Sequence, residues 1–276
     1  MTSNTSAKNK IGITVALTGA ITSSSDNKAL PVTEESIVRN TVECYYAGAS
    51  IVHLHIRDKV EAPSINYHRY KSLLSKIHES VQIITCISTS SYGVSVSDKE
   101  RLKLLDLSAD MASLTFGNIY RSRGKNTNSD YFIEASLYKM YCRNIIPEIE
   151  IFNEQMLDRC INYCEKKRYN PFVQLIFGAE GGMDAEMRTA VQLISQIPVE
   201  YKWSAAAVGK QQLAINLFSL LSGATVVRTG FEDNVFYRRG ILATSNAQLV
   251  NRLKGIISEL QYELYMPHEL LRILRK

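Results

Sequence analysis

The run Ala224-Thr225-Val226-Val227-Arg228-Thr229 is followed by Leu249, Val250, Leu253, Ile256, Ile257 and Leu260, which fall on one face of a helix. A short β-rich run and then an apolar helical stripe make one strand–helix unit. Runs of the same kind occupy 12–17, 50–56, 82–87, 111–115, 146–152, 172–177 and 200–205, each followed by apolar residues at helical spacing. Helix-start signals agree with this reading. Thr33-Glu34-Glu35-Ser36 follows Pro31, and Ser245-Asn246 precedes the last stripe. Eight such units in about 250 residues predict a (β/α)8 TIM barrel of the α/β class. The rival is a doubly wound open sheet, which usually has fewer units and often a glycine fingerprint after its first strand. Here the first turn reads Leu17-Thr18-Gly19-Ala20-Ile21, with no such fingerprint. No Pro- or Gly-rich linker divides the chain. The expected organisation is a flexible N-terminus at 1–10, a single barrel domain at 11–262 and a C-terminal helical extension at 263–276.

The composition fits a globular enzyme-sized domain. Of 276 residues, 45% are hydrophobic and 21% charged, which excludes collagen-like, low-complexity and largely disordered chains. The net charge of +5 comes from 32 basic against 27 acidic residues, mostly scattered. Solvated helix faces explain that excess better than a nucleic-acid surface does, although a diffuse positive field can favour an anionic substrate or cofactor. No apolar run approaches the ~20 residues that span a bilayer. Residues 1–10 are not followed by the apolar core of a signal peptide, so the expected location is cytoplasmic, away from membranes. Five cysteines without a CxxC pair read as reduced thiols; Cys160 and Cys164, four apart on a helix, offer only a weak metal pair.

In such barrels the chemistry sits at the C-terminal ends of the strands. On the second strand His53 and His55 are two residues apart and so share a face, while Leu54 and Ile56 point into the helix layer. Two imidazoles on one face suit a divalent ion or, alternatively, a hydrogen-bonded pair. The eighth strand runs from Arg228 into Phe231-Glu232-Asp233-Asn234, and only the first strand separates it from the second. His53, His55 and Glu232 thus make a two-histidine, one-carboxylate set with an open position, for which zinc is preferred to magnesium. The alternative is that Arg228, Glu232 and Asp233 form ion pairs within the loop. On the fifth strand Glu148 and Glu150 share a face, and Arg228 is the expected partner of Glu150. Ser88-Thr89-Ser90-Ser91 and Ser113-Leu114-Thr115 end the third and fourth strands, where hydroxyls either hold a substrate carboxylate or cap helices. Gly178–Gly182 and Val208-Gly209-Lys210 follow strands six and seven. Gly209 and Lys210 fit either a phosphorylated cofactor or a plain turn.

These residues resemble one known family. Thr18-Gly19-Ala20, Ala47-Gly48-Ala49 through His53-Leu54-His55-Ile56-Arg57-Asp58, Ile87-Ser88-Thr89, Pro147-Glu148-Ile149-Glu150, Arg228 through Asn234 and Ser245 through Val250 are together similar to the beta-keto acid cleavage enzymes. The resemblance runs in order from about residue 12 to residue 260. It implies a zinc-bearing barrel, commonly a homotetramer, that converts a β-keto acid and acetyl-CoA into acetoacetate and a new acyl-CoA. It also implies that His53, His55 and Glu232 hold Zn2+, that Arg228 and Asp233 assist deprotonation and that Glu150 supports them. Ser88 matches a substrate-binding serine, and Ser113 stands where a threonine is known. Three departures bear on the pocket. Ile21 stands where aminohexanoate-cleaving members carry a glutamate, so an uncharged, apolar substrate tail is expected. The segment Ser113–Asn118 is shorter than usual, and Ser90-Ser91 replace glycines. Two alternatives remain at this level: a zinc-assisted lyase or aldolase on a β-keto or β-hydroxy acid without CoA, and a homologue that binds without turnover.

Overall fold

The computed structural model describes residues 9–276, so most of the expected flexible N-terminus lies outside the described residues, and Lys10 already belongs to the first strand. Eight parallel strands close on themselves: β1 Lys10–Ala16, β2 Ile51–Leu54, β3 Ile84–Ser88, β4 Met111–Thr115, β5 Ile146–Ile151, β6 Phe172–Phe177, β7 Lys202–Ala207 and β8 Val226–Thr229. Closure is made by β1, which pairs with β2 through Ala16–His53 and with β8 through Thr14–Arg228. The helices α1 Glu34–Ala47, α2 Tyr67–Ser80, α3 Asp98–Leu104, α4 Asp130–Cys142, α5 Glu154–Lys167, α6 Met187–Ile194, α7 Gln212–Leu221 and α8 Asn246–Glu259 follow the strands in turn.

Local chemistry sets these boundaries. Thr33 caps α1 through a reciprocal bond pattern with Ser36, and Ser245 caps α8 by accepting from the Gln248 N–H. Along α8 Leu249, Val250, Leu253 and Ile257 are buried as the stripe predicted, whereas Leu260 emerges into solvent beyond the last turn.

The two-residue strand period sorts the barrel interior into layers. The lowest is apolar: Ile51, Ile84, Met111, Ile146, Phe172 and Val226 form one buried cluster with Leu270 and Leu274. Two residues further along each strand the interior turns polar, with Thr14, His53, Ser113, Glu148, Gln174, Ser204 and Arg228 all buried. Two residues further again, Ser88, Thr115, Glu150 and Ile176 line an open cavity. Polarity therefore rises toward the strand C-termini, where the chain can use it.

The C-terminal segment plugs the opposite end. Glu263–Leu264 pairs in parallel with β1 at Lys10 and Ile11, and α9 Pro267–Leu274 then lies across the barrel floor. Gly12 permits this approach, since a Cβ there would stand 2.6 Å from Leu270 Cδ2. Leu270 has no solvent exposure. Leu270→Ala is expected to lower unfolding stability by about 2–5 kcal/mol, measured as a shift in the urea midpoint. An unchanged midpoint would show that the floor needs no plug. Among the described residues no helix is long and apolar enough to cross a membrane.

Candidate active site

The loops that leave β1, β2 and β8 converge, and the turn after β8 is built for close approach. Gly230 has φ +133°, and a Cβ there would lie 2.2 Å from the Ala16 carbonyl oxygen. Glu232 N–H donates to that same carbonyl at 3.1 Å, which pins the acidic turn against β1. Gly19 is equally constrained: at φ +65°, its added Cβ would meet Glu232 Cγ at 2.5 Å. Asn246 secures the turn from behind, accepting from Phe231 N–H at 2.8 Å and donating to Leu17 O at 3.2 Å. Arg57 holds the loop after β1 by donating to Gly19 O, Thr22 O and Glu61 O. The glycine-containing first turn and the arginine after the histidine pair thus have structural roles.

The result brings His53, His55 and Glu232 together, with ligand-capable atoms within 4.8 Å of one another. His53 Nε2 lies 3.8 Å from Glu232 Oε2, and His55 Nε2 lies 3.6 Å from Glu232 Oε1. His53 Nε2 and Glu232 Oε2 are buried without a hydrogen-bond partner. Buried lone-pair atoms left without a partner are costly, and a divalent cation among them satisfies all at once. The donor set therefore fits a metal ion. Burial lowers the His55 pKa to about 4, so its imidazole is neutral and ligand-ready. Burial alone would raise Glu232, but Arg228 and the two histidines bring it down to about 2.

Beneath this set Glu148 Oε2 lies 3.4 Å from His53 Nδ1 and accepts from Cys86 Sγ at 3.4 Å. His53, Cys86 and Glu148 form a second close group. Burial and the Glu148 charge push the Cys86 thiol up, so it remains a donor to Glu148. This group reads as the support of His53, the arrangement by which a carboxylate orients a metal-binding imidazole.

Arg228 organises the other side. It donates to both Asp233 oxygens, at 2.9 Å from Nε and 3.0 Å from Nη2, and Nη2 also lies 2.9 Å from Glu232 Oε1. The expected Arg228–Glu150 pair is thereby corrected. The acidic turn curls back over β8 and takes up the guanidinium fork, while Glu150 accepts from Thr115 Oγ1 at 2.9 Å. Burial, reinforced by Glu148, raises Glu150 above the usual carboxylate range. Asp233 is also raised, by burial and by Glu232, against the opposing pull of Arg228. Adjacent acids are thus driven apart, Glu232 toward a permanent anion and Asp233 toward a stronger base.

The cavity above these groups measures about 1190 Å3. Ile21, Ser88, Gly209 and Lys210 line it, as do His55, Glu150, Arg228, Glu232 and Asp233. Ser113 does not. It sits one layer lower, 1% exposed, and its carbonyl accepts from Thr89 Oγ1; Thr115 is the fourth-strand residue at the cavity wall. Ser88 Oγ accepts from the Ser90 N–H at 3.2 Å, and Gly209, at φ +81°, donates its N–H to Asp233 O at 2.7 Å. Sequence reasoning did not single out Asn126, Tyr92 or Arg121, which also line the cavity. Tyr92 lies in a turn, and Arg121 and Asn126 lie in a ribbon of three-residue strands too short to show a periodicity.

Comparison with known proteins places this geometry in context. A family model described as beta-keto acid cleavage enzyme matches residues 10–275. The 3-keto-5-aminohexanoate cleavage enzyme of Fusobacterium nucleatum subsp. nucleatum is 32% identical over 266 residues, covering 96% of this chain and 97% of that protein. The 3-oxoadipate:acetyl-CoA acetyltransferase of Cupriavidus necator is 31% identical over 90% of this chain and 88% of its own length. Among solved structures, apo ObcA superposes with a TM-score of 0.76 at 18% identity over 89% of this chain, which spans 65% of ObcA.

Proposed function

Because the chain belongs to the beta-keto acid cleavage enzyme family, we propose that it is a metal-dependent transferase. It would convert a β-keto acid and acetyl-CoA into acetoacetate and a new acyl-CoA, with zinc as the ion. The observation that carries this reading is the close set His53, His55 and Glu232, with unpartnered atoms on His53 and Glu232, where His55 and Glu232 line one cavity with Arg228 and Asp233. The CoA dependence draws on relatives whose names specify acetyl-CoA, such as the Cupriavidus necator transferase.

In this reading Glu148 favours the tautomer of His53 with the proton on Nδ1, leaving the Nε2 lone pair toward His55 and Glu232. A bound zinc ion would supply Lewis-acid stabilisation of the enolate oxygen. Asp233, held by both bonds from Arg228, accepts the C2 proton of the keto acid. The C2 carbanion forms a bond to the acetyl carbonyl carbon, and the CoA thiolate leaves. That thiolate then attacks the original keto carbon, the C2–C3 bond breaks, and Asp233 returns its proton to the new carbanion. Acetoacetate and the acyl-CoA result, with no other reactant consumed. Ser88 faces the cavity as a hydroxyl donor for the keto-acid carboxylate, whereas the Thr115 hydroxyl is committed as a donor to Glu150. Lys210, exposed at Gly209, faces the anionic CoA ester. Ile21, 50% exposed on the wall, gives an ammonium tail no partner.

The test is elemental analysis of the purified protein together with an acyl-CoA assay over β-keto acids with different tails. About one zinc per chain and acyl-CoA formation, with the aminohexanoate substrate poor, are expected. Keto-acid cleavage without acyl-CoA would favour a CoA-independent lyase. Metal without turnover would favour a homologue that only binds.

A further inference from the structure

Of the charges that line the cavity, Lys210, Arg238 and Arg239 are exposed and kept by solvent, and the rest are unevenly committed. Asp26 is taken by Ser23, Glu150 by Thr115, and Glu232, Asp233 and Arg228 by one another. Arg252 donates to Tyr237 O. Among the described residues the Arg121 guanidinium has neither a hydrogen bond nor an ion pair, and its Nε is buried. Arg121 stacks between two rings instead, 5.1 Å from the centroid of Tyr92 and 5.7 Å from that of Phe152. Both rings are buried, at 9% and 7% exposure. Such stacking aims a cation but leaves its fork of donors unused.

The mounting of Arg121 is rigid. It ends the first strand of a two-stranded ribbon, Ile119–Arg121 with Gly124–Asn126, into which the short segment after β4 folds. Asn126 bridges the ribbon to the site, donating to Thr115 Oγ1 at 2.9 Å and accepting from Ser91 N–H at 3.0 Å. On the far side Gly181 packs against Tyr120 O so closely that a Cβ would lie 2.1 Å from it. Glu180 feels both Arg121 and Arg123, yet its oxygens are taken by Ser122 N–H at 2.8 Å and Ser122 Oγ at 3.1 Å. A part-buried guanidinium, clamped and unpaired in a cavity wall, is an anion site awaiting its anion.

Resting on the function proposed above, we infer that Arg121 binds a second carboxylate at the far end of the substrate, so the keto acids it takes are β-keto dicarboxylic acids. The uncharged tail expected from Ile21 weighed only the wall beside β1. Ile21 turns away a cation, and Arg121 on the wall above β3 to β6 recruits an anion. Phe152, Ile119 and Ile176 lie on the same wall and suit the intervening methylenes.

The experiment compares 3-oxoadipate with 3-oxohexanoate, which has the same carbon chain and a methyl in place of the distal carboxylate. Both are measured in acyl-CoA formation and, without acetyl-CoA, in calorimetric binding to the metal-loaded protein. The wild type is expected to prefer the dicarboxylate by on the order of 10–100-fold, and Arg121→Met to collapse that ratio toward one. Arg121→Lys, which keeps the charge but not the fork, should restore part of it. No preference in the wild type, or a preference that survives Arg121→Met, overturns the proposal. Should Arg121→Met instead raise the KM for acetyl-CoA with every keto acid, the anion is a CoA phosphate and the proposal falls. Turnover confined to neutral-tail acids would sink this inference alone. Absence of acyl-CoA from any keto acid would sink the function proposed above, while the calorimetric comparison would still test Arg121.

Discussion

His53→Ala and Glu232→Gln are expected to lose the metal ion and, with it, turnover by roughly 10^3-fold or more. The expectation follows from how little else the site offers a cation. Each variant keeps two of the three members, His55 with Glu232 or His53 with His55, and the charges beside them are the guanidinium of Arg228 and the buried Arg57. Two protein ligands beside two arginines make a poor cation site. Glu232→Gln is the more discriminating change. It keeps the shape of the side chain and leaves Arg228 its two bonds to Asp233. It removes only the permanent anion that Arg228 and the two histidines hold ionised to about 2. Glu232→Gln gives up the ion pair with Arg228, so its melting temperature is expected to fall while the fold persists, and metal content after dialysis falls toward zero. Full metal occupancy in both variants would mean that the ion, if any, binds elsewhere.

The grouping of His53, His55 and Glu232 was legible in the sequence because two simple rules sufficed. The two-residue period puts His53 and His55 on one face, and barrel closure puts β8 one strand away from β2. Neither rule fixes where a long side chain ends. Arg228 was expected at Glu150, yet Gly230 at φ +133° turns the chain back so that Asp233 and Glu232 reach the guanidinium first. Depth along the barrel axis was equally hidden. Ser113 and Thr115 both face inward from β4, and only the strand register shows that Ser113 pairs with Glu148 in the middle layer and Thr115 with Glu150 at the cavity. The C-terminal extension was visible as a helix, but its role as floor plug depends on Gly12 leaving room for Leu270. Arg121 had no marker, since its meaning comes from two rings, Tyr92 and Phe152, supplied by the ends of other strands.

Asp233→Asn separates proton transfer from metal binding. Asp233 is not in the ligand set, and Glu232 keeps its ion pair with Arg228 in this variant, so metal content is expected to match the wild type. The amide cannot accept a proton, and turnover should fall by about 10^2–10^4-fold, the usual worth of a positioned general base. The decisive readout is exchange of the C2 protons of a bound keto acid with deuterated solvent in the absence of acetyl-CoA, followed by NMR. In the wild type the exchange reports deprotonation without any carbon–carbon step; in Asp233→Asn it should fall in parallel with turnover. Glu150, the other raised carboxyl at the cavity, is the one rival for this role. It accepts a hydrogen bond from Thr115 and has no bond to Arg228, whose charge reaches it only through space and does not undo the effect of burial. Exchange that continues at the wild-type rate in Asp233→Asn would transfer the base to Glu150 and reduce Asp233 to a clamp for Arg228.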